Sequence, residues 1–322
     1  MLFDIAPAVV LAAALILDGL IGDPRWLWAR VPHPVAMLGS FIGWADLRAN
    51  QRDESNRRWR GVILLVFLVL AAGCVGMLFS ALTQATTWGW LLETVLVFSL
   101  IAQRDLYDHV KRVAQALRQE GLAGGRRAVS QIVGRDPDVL DEHGVCRAAI
   151  ESCAENFADG VVAPIFWYLV AGLPGLMIYK TVNTLDSMIG HKTERYHAFG
   201  WASARFDDLL NLVPARLSGL VVAVAALALN GADARAALQA MLRDARHHKS
   251  PNAGWPEAAF AGALGIAIAG PRAYHGEMVK DAWMGNGRAR CTPADIDNTL
   301  KLFVFACILW GVLAVLLLNW AG

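Results

Sequence analysis

Long apolar runs separated by short polar connections dominate this chain. A helix that crosses a bilayer needs roughly 20 apolar residues, and residues 5–22, 61–82 and 301–320 meet that length. Shorter runs at 88–102, 157–172, 173–189, 212–230 and 257–270 are candidates for further spans, re-entrant segments or helices buried in a bundle. The runs are rich in Ala and Leu and lack the period-two alternation of barrel strands. The pattern predicts an all-α, polytopic integral membrane helical bundle with about five to eight spanning or re-entrant helices. It predicts a single membrane domain over residues 1–322, with a helical cytoplasmic excursion at about 103–147. In that excursion two amphipathic helices flank Gly121–Gly125 and a turn follows at Asp136-Pro137.

Composition sharpens this picture. Of 322 residues, 56% are hydrophobic and 18% charged, against about 25% charged in ordinary soluble domains; mean hydropathy is +0.41. The net charge of +1 and the lack of a basic strip interleaved with aromatics argue against nucleic acid as a partner. Cys74, Cys146, Cys153, Cys291 and Cys307 form no C-x-x-C pair and read as small core residues. The first 22 residues carry no basic leader or small-residue cleavage site, so they read as a retained first span. Arg and Lys concentrate in 23–60, which includes Arg52, and in 103–147, which includes Arg135. Both segments should therefore be cytoplasmic. Residues 191–211 and 233–258 are also charged but are separated by one apolar run, 212–230, so that run should be re-entrant or packed inside the bundle. No internal repeat of solenoid or inverted-transporter type occurs.

Four polar clusters sit at the ends of apolar runs. The first holds Asp18, Asp23-Pro24 and His33-Pro34; intramembrane carboxylates such as Asp18 invite a functional reading, while Asp23 could cap a helix and His33 lie at the interface. In the second, Glu151, Glu155 and Asp159 follow at i, i+4 and i+8 with Asn156 beside them and no Lys or Arg between. Like charges so placed call for a cation, and Mg²⁺ suits one or two carboxylates together with waters and phosphate oxygens; a solvated acidic helix end balanced by Arg147 is the alternative. The third steps Lys180, Asn183 and Asp186 along one stripe and adds His191, Lys192, Glu194 and Arg195, a mixture suited to phosphates and carboxylates. Asp207 and Asp208 follow, readable equally as a charge pair at a helix start. The fourth, "HHKSPNAGWPEAAFAGALG", offers Asn252 and a rigid Trp255, with Gly262 and Gly265 allowing close helix packing; Trp255 could support a planar ligand or anchor the interface. No Walker A loop, G-x-S-x-G or H-E-x-x-H motif is present. These patterns point to a mixed acidic and basic cytoplasmic pocket but do not identify a reaction.

Read together, "DGLIGDPRWLWARVPHPVAMLGSFIGWAD", residues 151–220 and "SPNAGWPEAAFAGALG" closely resemble the CobD/CbiB family of cobalamin biosynthesis. The resemblance implies an adenosylcobinamide-phosphate synthase of the cell inner membrane, a ligase with its active site on the cytoplasmic side. Such an enzyme would join adenosylcobyric acid, a corrinoid substrate, to (R)-1-aminopropan-2-ol O-phosphate or free aminopropanol, with ATP and Mg²⁺. Other membrane-associated enzymes of the pathway would be candidate partners besides the lipid bilayer. On this expectation Glu155 and Asp159, with Glu151, hold Mg²⁺; Lys180, Lys192 and Arg195 clamp phosphates; Asp186 or Glu194 accepts the proton of the attacking ammonium. Asn156, Asn183 and Asn252 orient amides around the corrin rim, and Trp255 and His33 line the corrin. A non-catalytic membrane regulator and a corrinoid carrier are the alternatives.

Overall fold

The computed structural model describes residues 7–30, 32–51, 53–134, 136–274, 277–279 and 281–321. The start of the expected first span and the side chains of Arg52 and Arg135 lie outside the described residues. In chain order the helices are α1 (Pro7–Ile21), α2 (Arg25–Trp28), α3 (Pro34–Ala49), α4 (Glu54–Gln84), α5 (Gly89–Phe98), α6 (Gln103–Val129) and α7 (Glu142–Phe157). After a π-helical turn, Ala158–Val162, come α8 (Ala163–Ile189), α9 (Trp201–Leu210), α10 (Leu212–Ala225), α11 (Ala234–Asp244), α12 (Gly254–Ala263) and α13 (Pro293–Ala321). Four short strands, β1 (Ile268–Ala269), β2 (Arg272–Tyr274), β3 (Glu277–Val279) and β4 (Trp283–Met284), lie between α12 and α13 and pair antiparallel as β1–β4 and β2–β3.

The fold is all-α with a membrane character. Three helical stretches, Glu54–Gln84, Glu142–Ile189 and Pro293–Trp320, are long and apolar enough to cross a bilayer among the described residues, and there are four if Trp201–Leu210 and Leu212–Ala228 form one broken span. The run expected at 88–102 contributes the ten-residue α5, and α1 is also short. The run at 257–270 is not one helix: α12 stops at Ala263, Gly265 turns the chain at φ +62°, and a strand begins at Ile268. Gly265 therefore acts through its backbone, whereas Gly262 does pack closely, since a Cβ there would stand 2.5 Å from Ala236 O.

The chain divides into two compact units. The first comprises residues 1–102, 163–211 and 311–322; the second comprises 103–162 and 212–310. The segment expected as an excursion, 103–147, is thus part of the second unit.

In the first unit α8 packs on α3, α4 and α9, and α5 packs on α1 and α4. Ile42, Leu64, Leu65, Leu68, Val182, Leu185, Ile189 and Phe199 form its core. The other face of α4, with Ile63, Val66, Phe67, Leu70, Met77 and Leu78, stays exposed, as a lipid-facing surface would. Two local features shape α8: Gly172 at φ 60° breaks it, and Pro174, just after, cannot donate into the helix ladder. The Pro174 backbone then meets α4 at Gly76, where a Cβ would be 2.6 Å from Pro174 Cα.

In the second unit α6 packs on α7, and α10, α11 and α12 pack on one another. Phe157, Phe260 and Phe303 meet edge to face at its centre, with ring centroids 6.0 Å and 5.7 Å apart. The amphipathic α6 breaks at Gly121, which takes φ 65°, inside the glycine-rich stretch that separates the two expected helices. Buried carboxylates tie the strand segment to the helices: Glu151 Oε1 accepts the Ala269 N–H at 2.8 Å and Asp244 Oδ2 accepts the Gly285 N–H at 2.9 Å. Ala269 sits at φ 59°, a conformation that costs a non-glycine residue about 1 kcal/mol or more and that the Glu151 bond helps to hold.

Candidate active site

An acidic centre occupies the first unit. The last turns of α8 carry Lys180, Asn183 and Asp186, and α9 carries Asp207 and Asp208. Asp207 is buried; its Oδ2 accepts from Asn211 Nδ2 at 3.0 Å and its Oδ1 from Asn183 Nδ2 at 3.5 Å. Asn211 in turn accepts from Tyr179 Oη at 3.1 Å. Asp186 lies close enough to Asp207 and Asp208 for like-charge repulsion, with His191 on its other side. Its carboxylate rests over Gly190, where a Cβ would be 1.9 Å from Oδ1, so the residue after α8 has to be small. Arg205 and Lys192 flank Asp208. Two buried or half-buried carboxylates that repel each other, held by neutral amides, form a site that a proton or a cation would stabilise.

Lys180 is half-buried and lines a cavity of about 210 Å³ with Leu38, Leu68, Met177 and Thr181. Lys192 and Glu194 are exposed. Arg195 is exposed, and its Nη2 donates to the buried Asp46 Oδ2 at 2.6 Å. Asn50 Nδ2 donates to Asp46 Oδ1 at 2.8 Å, and Arg57 donates to Asn50 Oδ1 at 2.8 Å and to the carbonyls of Glu194 and Arg195. This knot fastens the loop after α8 to α3 and α4. His33 is likewise structural: Nδ1 caps α3 by accepting the Val35 N–H at 3.1 Å, Nε2 is 3.6 Å from Asp23, and the ring packs edge-on against Trp28. His33 thus serves as the N-cap of α3.

In the second unit the three carboxylates of α7 and the π-turn differ in their surroundings. Glu151 is buried and bonded to Ala269, Glu155 is exposed, and Asp159 is half-buried on the π-turn. The expected cage is corrected accordingly, because Glu151 serves the strand segment. No group of three His, Cys, Asp or Glu side chains among the described residues is arranged to hold a metal ion. Asn156 is exposed and its Nδ2 donates to the Ser152 carbonyl at 2.9 Å. Arg147 does not balance this acidic end; it donates to the Ala289 carbonyl at 2.7 Å and lies over the Trp283 ring. Burial pushes the Cys291 thiol up to about 11, which keeps it protonated at neutral pH and fits a packing role.

A basic cavity lies elsewhere in the second unit. Arg216, Arg246, His248, Ser250 and Trp255 line a space of about 340 Å³. Asn252 is buried and faces Arg216, its Oδ1 accepting from Nη1 at 3.3 Å; it positions that guanidinium. Arg216 also lies 4.7 Å over the Trp255 ring, and the Trp255 N–H donates to the Pro251 carbonyl at 3.2 Å. Trp255 thus lines the cavity, with an arginine over its ring.

The family model described as CobD/Cbib protein matches residues 11–303. The chain belongs to the CobD/Cbib family. It is 56% identical over 304 residues to a protein of Sinorhizobium sp, covering 93% of this chain and 94% of the relative. A relative from Rhizobium meliloti (strain 1021) is 52% identical, with 93% of each chain covered. One from Rhodobacter capsulatus is 45% identical, with 92% of each covered. All three relatives are named cobalamin biosynthesis protein CobD. No solved structure matches the chain.

Within this CobD/Cbib chain, the sequence reading missed Arg216, Arg246, Asp46 and the pairing of Asp207 with Asp186. Arg216 had a visible signal, a lone cation in the apolar run 212–230, where a charge is costly unless it is used. Asp207 had a weaker one, two adjacent carboxylates after an apolar stretch. Asp46 had none beyond its helical spacing from Ile42.

Proposed function

We propose that this protein acts in cobalamin biosynthesis as an amide ligase of the membrane, joining adenosylcobyric acid to (R)-1-aminopropan-2-ol O-phosphate with consumption of ATP. Membership of the CobD/Cbib family over residues 11–303 is the observation that carries this reading, and the acidic centre gives it a place for chemistry.

A carboxylate does not react with an amine at neutral pH until it has a leaving group. ATP provides one: a carboxylate oxygen of the corrinoid attacks the γ-phosphorus, ADP departs, and the resulting acyl phosphate is attacked by the amine. The amide forms as inorganic phosphate leaves with one former carboxylate oxygen, and the ammonium proton passes to a base. Asp186 is the base that fits, since it is half-buried beside a second carboxylate, Asp207, and shares a helix stripe with Lys180 and Asn183. Asn183, Asn211 and Tyr179 hold Asp207 in place. Lys180 and Lys192 remain the first unit's cations for phosphate oxygens, while Glu194, exposed, is the weaker candidate for the base.

Mg²⁺ would shield phosphoryl charge during transfer. The buried Asp207 fits it better than the α7 set, because Mg²⁺ needs one or two carboxylates and takes its other ligands from water and phosphate, and this leaves Asp186 to act as the base. The test is turnover by purified, detergent-solubilised protein with adenosylcobyric acid, aminopropanol phosphate, ATP and Mg²⁺, read by mass spectrometry. A corrinoid heavier by the amide-linked aminopropanol phosphate is expected. Corrinoid binding without product from either amine form would leave a carrier or regulatory role instead.

A further inference from the structure

The cavity of the second unit has a charge imbalance that its own residues do not settle. Arg216 donates to the Leu212 carbonyl at 2.7 Å and to Asn252 Oδ1, and it stacks on Trp255; all three partners are neutral. Arg246 is near enough to repel it. Among the described residues neither guanidinium has a carboxylate partner, whereas in the same unit Arg118 is matched with Asp297, Arg243 with Asp244 and Arg288 with Asp295; Arg147 is held instead by a carbonyl and the Trp283 ring. The buried Glu257 pairs with His248 Nε2 of the cavity wall at 3.6 Å. His248 Nδ1 accepts the Ser250 N–H at 3.1 Å, so the ring is oriented from both sides. Ser250 Oγ accepts the N–H groups of Asn252 and Ala253, both at 3.2 Å, which leaves its own proton to donate.

Two forked cations, an available hydroxyl and a ring that holds one fork in plane suit a small dianion with several oxygens. A lone carboxylate would balance half of the charge. The volume, about 340 Å³, is at the low end for ligand pockets and far too small for a corrin macrocycle. We propose that this cavity binds a phosphate monoester, with Arg216 and Arg246 on its oxygens, Ser250 donating to it and Trp255 and Asn252 positioning Arg216. Identifying that ester as the amine substrate's phosphate rests on the ligase reading; phosphate binding itself does not. A phospholipid headgroup presents the same chemistry, so the source has to be separated experimentally.

The experiment is calorimetric titration of the full-length protein in neutral-lipid nanodiscs with inorganic phosphate, aminopropanol phosphate and unphosphorylated aminopropanol. Wild type, Arg246→Gln and Arg216→Gln are compared, with thermal unfolding as a check of folding. Arg246 is exposed, so its replacement keeps the test valid even if Arg216→Gln unfolds. The phosphorylated compound should bind and the free amine should not. Loss of one charge-assisted contact should weaken binding about tenfold in Arg246→Gln. A parallel arm replaces part of the neutral lipid with phosphatidic acid: a rise in melting temperature in wild type and not in Arg246→Gln, without binding of soluble phosphoesters, supports the same phosphate site with lipid as its source. Equal binding of aminopropanol phosphate by wild type and folded Arg246→Gln overturns the proposal, and so does equal affinity for the free amine. Phosphate binding that depends on Arg246 in a protein without ligase turnover would overturn the ligase reading alone; turnover with phosphate affinity insensitive to Arg246 would overturn this inference alone.

Discussion

The acidic centre of the first unit and the basic cavity of the second are built on opposite principles from the charged knots around them. The Asp46–Arg195–Asn50–Arg57 knot closes on itself: a buried carboxylate receives a guanidinium and an amide, and spare donors go to carbonyls. Asp186 and Asp207 instead face each other with the same sign, and Arg216 and Arg246 do likewise with the other sign. Residue type alone does not separate these cases, since all are Asp and Arg near apolar segments. What separates them is whether the charge is balanced within the fold. Balanced charges contribute to stability; unbalanced ones are kept at a cost that a ligand, proton or ion repays.

The contrast can be broken most sharply at Asp186. Asp186→Asn should lower ligase turnover by about a hundredfold or more, the scale of a lost general base. Its melting temperature should be unchanged or higher, because one of two repelling charges is gone. A fall in stability with turnover retained would assign Asp186 to the fold. Gly190→Ala probes the same carboxylate from outside the chemistry, since the new methyl would have to displace Asp186 Oδ1. A loss of about tenfold in kcat is expected from such a misplacement, smaller than removal of the base.

Asp46→Asn should show the reverse pattern. The buried oxygen that receives Arg195 loses its charge, and about 1–2 kcal/mol of stability should go with it, given the half-exposed arginine. Thermal unfolding in detergent would register this, while turnover per folded molecule should hold. Activity lost while the melting temperature stays unshifted would place the knot in the chemistry.

The smallest effect concerns a balanced surface pair. The hydrogen bond from His109 to Asp105 raises the imidazole above its ordinary 6.5, against partial burial. A raised folded value means that the pair's contribution is complete below about pH 6.5 and disappears as pH climbs through the folded pKa. The stability advantage of wild type over His109→Gln, read from thermal unfolding, should therefore be larger at about pH 5.5 than at about pH 8.5, by less than about 1 kcal/mol. A gap that widens with pH would contradict the assignment.

Much of the fold could be read from hydropathy because a bilayer imposes a length on apolar runs. The sustained runs of α4 and α13 became long helices, and Gly121 broke α6 inside the glycine-rich stretch expected to separate two helices. The strands at Ile268 and Trp283 were hidden, since short buried apolar runs look alike as helix or strand, and it is Glu151, more than a hundred residues away along the chain, that holds Ala269 in its turn. That same long-range bond removed Glu151 from the expected metal set. Helical periodicity put Glu151, Glu155 and Asp159 on one face but carried no information about what else would reach that face. The third cluster was legible at Lys180, Asn183 and Asp186 because one helix carries all three. Asp207 joins them through tertiary packing of α9 on α8, which local spacing does not encode. The pairing of Arg195 with Asp46 and the capping of α3 by His33 are likewise contacts that residue type alone does not announce.

The most direct test of the account follows oxygen. Adenosylcobyric acid carrying ¹⁸O in its free carboxylate would be turned over with ATP, Mg²⁺ and aminopropanol phosphate, and the inorganic phosphate released would be analysed by mass spectrometry. Activation by ATP predicts one ¹⁸O in phosphate for each amide formed, and loss of both products in Asp186→Asn. Amide without label in phosphate, or no amide from folded wild-type protein that binds the corrinoid, would contradict it.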